Sequence, residues 1–198
     1  MEQVFDFLRK LRENNRRDWF LSHKSDYEKA RETVVFFTEQ LLVQMADFEP
    51  KMLQVDAEKS LYRIYRDTRF SADKSPYKTH FGVRLGNGKK HFEARYYLHI
   101  QPNECFLAGG IYMPEKERLE SIRKKISRQC TDFRQDNKLK RLPSGFDKND
   151  PMADYLKLKN FVAICPISEA DFLTADAPRK FAQIYQSLKP INDFLEGD

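Results

Sequence analysis

The stretch Phe81-Gly82-Val83-Arg84-Leu85-Gly86-Asn87-Gly88, followed by His91-Phe92-Glu93-Ala94-Arg95-Tyr96-Tyr97-Leu98-His99-Ile100, decides the fold. Phe81, Val83 and Leu85 alternate with His80, Gly82 and Arg84. Phe92, Ala94, Tyr96, Leu98 and Ile100 alternate with His91, Glu93, Arg95, Tyr97 and His99. A two-residue period sends one set to a core and the other to the opposite face. Gly86-Asn87-Gly88 is hairpin chemistry, because Gly and Asn enter left-handed backbone at low cost.

Outward from this pair the same period continues. Leu61-Tyr62-Arg63-Ile64-Tyr65 reads as a strand, and a polar loop runs from Arg66 to Lys78. Pro102-Asn103 turns the chain into a further strand, Cys105 to Met113, with Gly109-Gly110 inside it. Residues 61–113 therefore predict an antiparallel meander of about four strands. Phe161-Val162-Ala163-Ile164 is a short strand able to join it, which makes four to five.

The flanks change period. Val4, Phe5, Leu8 and Leu11 form a helical stripe that Asn14-Asn15 breaks, and Asp18 is placed to cap a short helix at Trp19-Phe20. Tyr27, Ala30, Val34, Phe37, Leu41 and Met45 mark a long amphipathic helix ending before Pro50. Glu115 to Cys130 predicts another helix, with Leu119, Ile122, Ile126 and Cys130 inward, after Pro114 at a first-turn position. Arg134 to Asp150 reads as irregular. Ser168 is placed to cap a short acidic helix; Pro178 opens the last helix and Pro190 is expected to kink or restart it. Helices on either side of an antiparallel block define the α+β class, with one sheet face covered by helices.

A chain of 198 residues, 40% of them hydrophobic, with 16 Phe, holds a sizeable core and fits one domain. The expectation is a single domain over 1–198: helical 1–50, sheet core 60–114, helix plus irregular segment 115–158, and a short strand with C-terminal helices over 159–198. Three widely spaced cysteines, Cys105, Cys130 and Cys165, form no CxxC pair and read as reduced. No apolar run nears the roughly 20 residues of a spanning helix, and the N-terminus lacks the order of a signal peptide. These features predict a cytoplasmic protein without membrane partners.

The formal charge is +5, unevenly spread. Lys59 to His80 carries six cations against two anions, Glu115 to Arg141 ten against five, and Ser168 to the end three against six. The best candidate surface is the first of these. Arg63, Arg66 and Arg69 recur every third residue, and guanidinium groups grip carboxylate or phosphate with two parallel bonds. Lys74 and Lys78 add point charges, Thr79 adds a donor, and Asp67 and Asp73 are placed to orient the cations. Alternation puts Tyr97 and His99 on a polar sheet face, and Gly110 with Tyr112 on one face of the next strand, where a missing side chain leaves room for a ligand. The competing reading makes the same loop a structural clamp held by its own ion pairs, worth little individually when exposed.

Other chemistries find no support. The four histidines make no HxxxH or HxH pair, and His91 and His99 stand roughly 27 Å apart on an extended strand, so no metal site is expected. No Walker loop, GxGxxG or GxSxG occurs, so no cofactor is implied. Cys105 beside Phe106 reads as buried and inert. Aromatic strands with a basic helix (Arg118, Arg123, Lys124, Lys125, Arg128) give a weaker nucleic-acid reading, and the RNP pattern is absent.

Asn14 to Phe20, Arg63-Ile64-Tyr65-Arg66-Asp67-Thr68-Arg69-Phe70, Asp73 to Thr79, Tyr96-Tyr97-Leu98, Gly109 to Pro114, and Leu156-Lys157 through Phe161 together resemble a widespread bacterial and fungal family of conserved hypothetical proteins, domain of unknown function family 2461. The resemblance spans nearly the whole chain and implies one conserved unit. It implies no reaction, cofactor or catalytic residue.

The expectation is therefore a cationic Arg/Tyr pocket for a small anionic ligand, with phosphorylated compounds among the candidates. Arg63, Arg66, Arg69, Lys74, Lys78 and Thr79 would bind it, and Tyr77, Tyr97 and Tyr112 would shape the pocket. Asp67, Asp73 and His99 are the candidates for proton transfer, and no reaction is assigned. A nucleic-acid or acidic-protein binding module, and a structural or regulatory protein with the loop as clamp, are the alternatives.

Overall fold

The computed structural model describes residues 1–86, 95–126 and 138–196. Asn87-Gly88 of the hairpin turn, residues 91–94 with His91 and Glu93, Arg128, Cys130 and residues 134–137 lie outside the described residues. The α+β class holds. Four strands, β1 (Phe81–Leu85), β2 (Arg95–Ile100), β3 (Phe106–Ile111) and β4 (Phe161–Pro166), form an antiparallel sheet in the order β1-β2-β3-β4.

Leu61 to Tyr65 is not a strand of this sheet. It makes isolated antiparallel bridges, Leu61 to Val83 and Tyr65 to Tyr77. Only Ile64 of its five residues is buried, with no alternation, so two sheet faces are never defined. Helices α1 (Glu2–Glu13), α2 (Arg17–Ser22) and α3 (Lys24–Met45) occupy the expected places. Asp18 lies inside the first turn of α2, with Arg16 at the cap position, so it meets the helix dipole rather than capping by side chain. After α4 (Ala57–Ser60), α5 (Lys116–Ile126) and α6 (Ala153–Leu156), helix α7 (Ala177–Glu196) runs through Pro190 without a break. Buried Tyr185 and Leu195 anchor it on both sides of the proline, which offsets the lost backbone bond.

Two compact units emerge from the contacts. The first comprises Met1–Asn87, Tyr97–Leu107 and Cys165–Gln186. Its core is aromatic. The buried stripe of α3, Ala30, Val34, Phe37, Leu41 and Met45, follows the helical period. Phe172 packs edge-on to Phe5 and Phe181, at 5.5 and 4.9 Å between ring centroids. Ser168 stands one residue before Glu169, the cap position of the short 3-10 helix Ala170–Leu173; its N–H and hydroxyl both donate to the Asp171 carboxylate at 2.7 Å, and its hydroxyl accepts from the Asp171 N–H at 3.3 Å.

The second comprises Gly88–Tyr96, Ala108–Ile164 and Ser187–Asp198. Ile111, Ile122, Ile126, Leu156, Leu158 and Phe161 make its core. Gly109 faces Leu188 and Asn192, and Gly110 (φ +131°) backs onto the Phe161 carbonyl. These glycines exist for close packing of helix and strand, not to admit a ligand.

Candidate functional site

The segment from Arg63 to His80 is an irregular hairpin within the first unit. Its stem is held by backbone bonds from Tyr62 to Gly82 (2.9 Å), Lys78 to Ile64 (2.8 Å) and Arg66 to Pro76 (2.9 Å). Tyr77 is only 3% exposed and stacks on Phe20 at 4.0 Å. It is a core residue rather than the lining of an open pocket, because its ring fills the gap beneath α2.

Two of the three arginines expected to converge are paired to carboxylates of their own loop. Arg69 takes Asp67 in a two-pronged bond, at 2.9 Å from Nε and 2.6 Å from Nη2. Arg66 pairs with Asp73, which also accepts from the Ser75 hydroxyl at 2.7 Å. Lys74 Nζ donates to the Thr68 carbonyl at 3.0 Å. The Ser75 and Arg66 bonds hold the Asp73 carboxyl well below the usual range, and the Arg69 bonds lower that of Asp67. Carboxylates so firmly ionised are poor proton acceptors near neutral pH. At the loop tip Arg66, Arg69 and Lys74 thus find partners within the loop itself.

Two cations of the segment remain outside it. Arg63 is exposed and has no ion pair among the described residues. Lys78 is half-buried, donates to the Arg63 carbonyl at 2.8 Å and lies 5.5 Å from the centroid of the Tyr62 ring. Burial, and then the Arg63 charge, lower its pKa. Thr79 is half-buried beside it.

The stem leads to a polar patch on β1 and β2. His80 and His99 face each other with ring centroids 4.4 Å apart. Tyr97 Oη and His99 Nδ1 share a hydrogen bond of 3.0 Å, His99 Nε2 approaches Gln101 Oε1 at 3.3 Å, and the imidazole stacks on Phe106 at 4.6 Å. Tyr62 packs 6.2 Å from Tyr97. Burial pushes His80 down to about 4, helped by the charges of His99, Lys78 and Arg66. Burial likewise lowers His99 and raises Tyr97. Both imidazoles are thus neutral at pH 7. Gly82 lies under this patch: a Cβ there would stand 2.6 Å from Tyr97 Oη and 3.1 Å from Tyr62 Cδ2.

Tyr97 and His99 thus meet as expected, and His80, Tyr62 and Gly82 join them. Alternation already put His80 on the Gly82 face, so the missing signal was the pairing of the two strands. Tyr112 is 66% exposed and belongs to the second unit. No group of three His, Cys, Asp or Glu able to hold a metal occurs among the described residues. The Cys105 thiol is buried, donates to the Gln101 carbonyl, and is pushed up to about 11 by burial. No helix among the described residues is long and apolar enough to cross a membrane.

Three of the five cations of the basic helix α5 bond backbone carbonyls, while Lys116 and Lys124 are exposed. Arg118 donates to the Leu195 carbonyl, buried Arg123 to that of Leu158 at 3.1 Å, and Lys125 to that of Phe194 at 3.4 Å.

The chain belongs to the conserved hypothetical protein family DUF2461, which it matches over residues 3–194. No curated protein and no solved structure is significantly similar to it.

Proposed function

We propose that the chain binds a small anionic ligand, with phosphorylated metabolites as the class, at the patch where Arg63 and Lys78 meet Tyr62, Tyr97 and the His80–His99 pair. One observation carries this reading: half-buried Lys78, lowered by burial and then by the nearby Arg63 charge, donates to the Arg63 carbonyl, and neither cation forms an ion pair among the described residues, although Asp67 lies near enough to feel the Arg63 charge. An anion would relieve that repulsion and accept bonds from both. The Tyr97–His99–Gln101 chain would orient the ligand, and neutral His99 is the group there able to accept a proton. A cytoplasm, where phosphorylated compounds are plentiful, suits the reading.

In this proposal Arg66, Arg69, Lys74, Asp67 and Asp73 brace the loop and do not touch ligand. Calorimetric titration with pyrophosphate, after a thermal-shift screen of phosphorylated metabolites, tests it. Arg63→Gln and Lys78→Met should each weaken binding by about tenfold or more, as lost charge-assisted bonds do. Arg69→Gln should leave affinity nearly unchanged. Loss on Arg69→Gln with no effect of the other two would return the site to the loop tip. No stabilising anion in the screen would leave only the clamp.

A further inference from the structure

The hydrogen bonds around His99 have a direction. A carboxylate only accepts, and Gln101 Nε2 donates to that of Glu104. The Gln101 amide oxygen is thereby turned toward His99 Nε2, at 3.3 Å. A neutral imidazole carries one N–H, held on the nitrogen that faces an acceptor. His99 therefore keeps its proton on Nε2 and presents the Nδ1 lone pair to Tyr97 Oη at 3.0 Å. Tyr97 spends its one O–H on that lone pair. Its oxygen is left as an acceptor, and no protein donor bonds it among the described residues.

This acceptor adjoins the cationic patch. A Cβ on Gly82 would lie 2.6 Å from Tyr97 Oη and 3.1 Å from Tyr62 Cδ2, so the hydroxyl and the Tyr62 ring are neighbours. The same ring lies 5.5 Å from Lys78 Nζ, and Lys78 donates to the Arg63 carbonyl. Cations that take an anion thus stand beside an oxygen that an anion cannot satisfy. An ionised phosphate oxygen has no proton to give, and at Tyr97 it would set acceptor against acceptor. A ligand ammonium has the proton but meets the like charges of Lys78 and Arg63. A neutral hydroxyl brings the proton without the charge.

We infer, resting on the anion reading of this patch, that its ligand is a hydroxylated phosphate ester, a polyol or sugar phosphate, with its phosphate at Lys78 and Arg63 and a hydroxyl donating to Tyr97 Oη. Gln101 and Glu104 are positioning residues here: they touch no ligand, but they place the His99 proton and so set the polarity of the tyrosine.

Calorimetric titration at pH 8, where phosphate monoesters are largely dianionic, compares glycerol 3-phosphate with propyl phosphate, which has the same charge and no hydroxyl. Wild type should bind glycerol 3-phosphate about tenfold more tightly, the worth of one hydrogen bond. Tyr97→Phe should lose that preference and keep its affinity for propyl phosphate. Equal binding of the two esters by wild type, or a preference that survives Tyr97→Phe, would overturn the inference. Pyrophosphate separates the failures. If it binds while the two esters are not told apart, the anion reading stands and the hydroxyl falls; if no anion binds, both fall. Heteronuclear NMR of labelled histidines in the wild type is the second arm and needs neither ligand nor variant. His99 should carry its proton on Nε2. A proton on Nδ1 would reverse the polarity of Tyr97 and sink the case for a donor ligand.

Discussion

The Asn15 side chain pairs with the backbone of Tyr77 as a neighbouring strand would. Its Nδ2 donates to the Tyr77 carbonyl at 2.9 Å, and its Oδ1 accepts from the Tyr77 N–H at 3.1 Å. The turn after α1 is thereby fastened to the hairpin stem, 62 residues away in sequence. Asn15→Ala strands a buried donor and acceptor together and should destabilise by about 1–3 kcal/mol. Asn15→Asp keeps the acceptor alone and should fall between. Urea unfolding of the three proteins measures both; a wild-type midpoint for Asn15→Ala would refute the fastening.

Gly82 should tolerate no side chain while Tyr97 keeps its hydroxyl. Gly82→Ala places a methyl 2.6 Å from that oxygen, and overpacking of this kind costs about 1–3 kcal/mol. Tyr97→Phe removes the closest clashing atom, so the double variant should be more stable than Gly82→Ala alone. Thermal unfolding of the cycle gives the coupling directly.

The histidine pair sets an acid limit. His80 titrates at about 4 in the folded chain and near 6.5 when exposed. Between those values the unfolded chain binds a proton that the folded chain refuses. Stability from this group is therefore fully present above about pH 6.5 and falls as pH drops toward 4. His99, lowered in the same direction, adds to the slope. The depressed carboxyls of Asp67 and Asp73 lose their contribution only below the ordinary carboxylate range. Denaturant midpoints between pH 7 and 4.5 should decline in wild type and decline less in His80→Gln.

Cys105 should resist thiol reagents in the native protein. Its thiol is buried, bonded to a carbonyl and pushed up to about 11, so little thiolate exists at pH 7.5. In a variant lacking Cys130 and Cys165, labelling should follow unfolding and speed up in urea. Prompt labelling of the native variant would contradict this environment.

Much of the fold is legible in alternation. Leu98 and Ile100 go inward while Tyr97 and His99 stay on the other face, because one buried face forces that register. Leu61 to Tyr65 misleads because Leu, Tyr and Ile are strand formers whatever their neighbours do, and pairing is a property of two segments. Pro190 misleads because a local rule yields to burial on both sides. At the candidate site, residue type pointed to a dense cationic loop, yet for Arg66 and Arg69 carboxylates seven and two residues away are the nearer partners. The contribution of Asn15 has no local signature at all: its partner is remote, and amide-to-backbone pairing leaves no periodic trace.

The Leu61–Tyr62 segment, though no strand, has a consequence for the life of the protein in a crowded solution. β1 is the last strand on its side of the sheet, and an open margin of this kind invites a stranger's backbone. Here Tyr62 N–H already occupies the Gly82 carbonyl, and Leu61 bridges Val83. Two residues of irregular chain thus act as a partial selvedge, covering the margin at Gly82 and Val83 and leaving less of it open to a stranger's backbone.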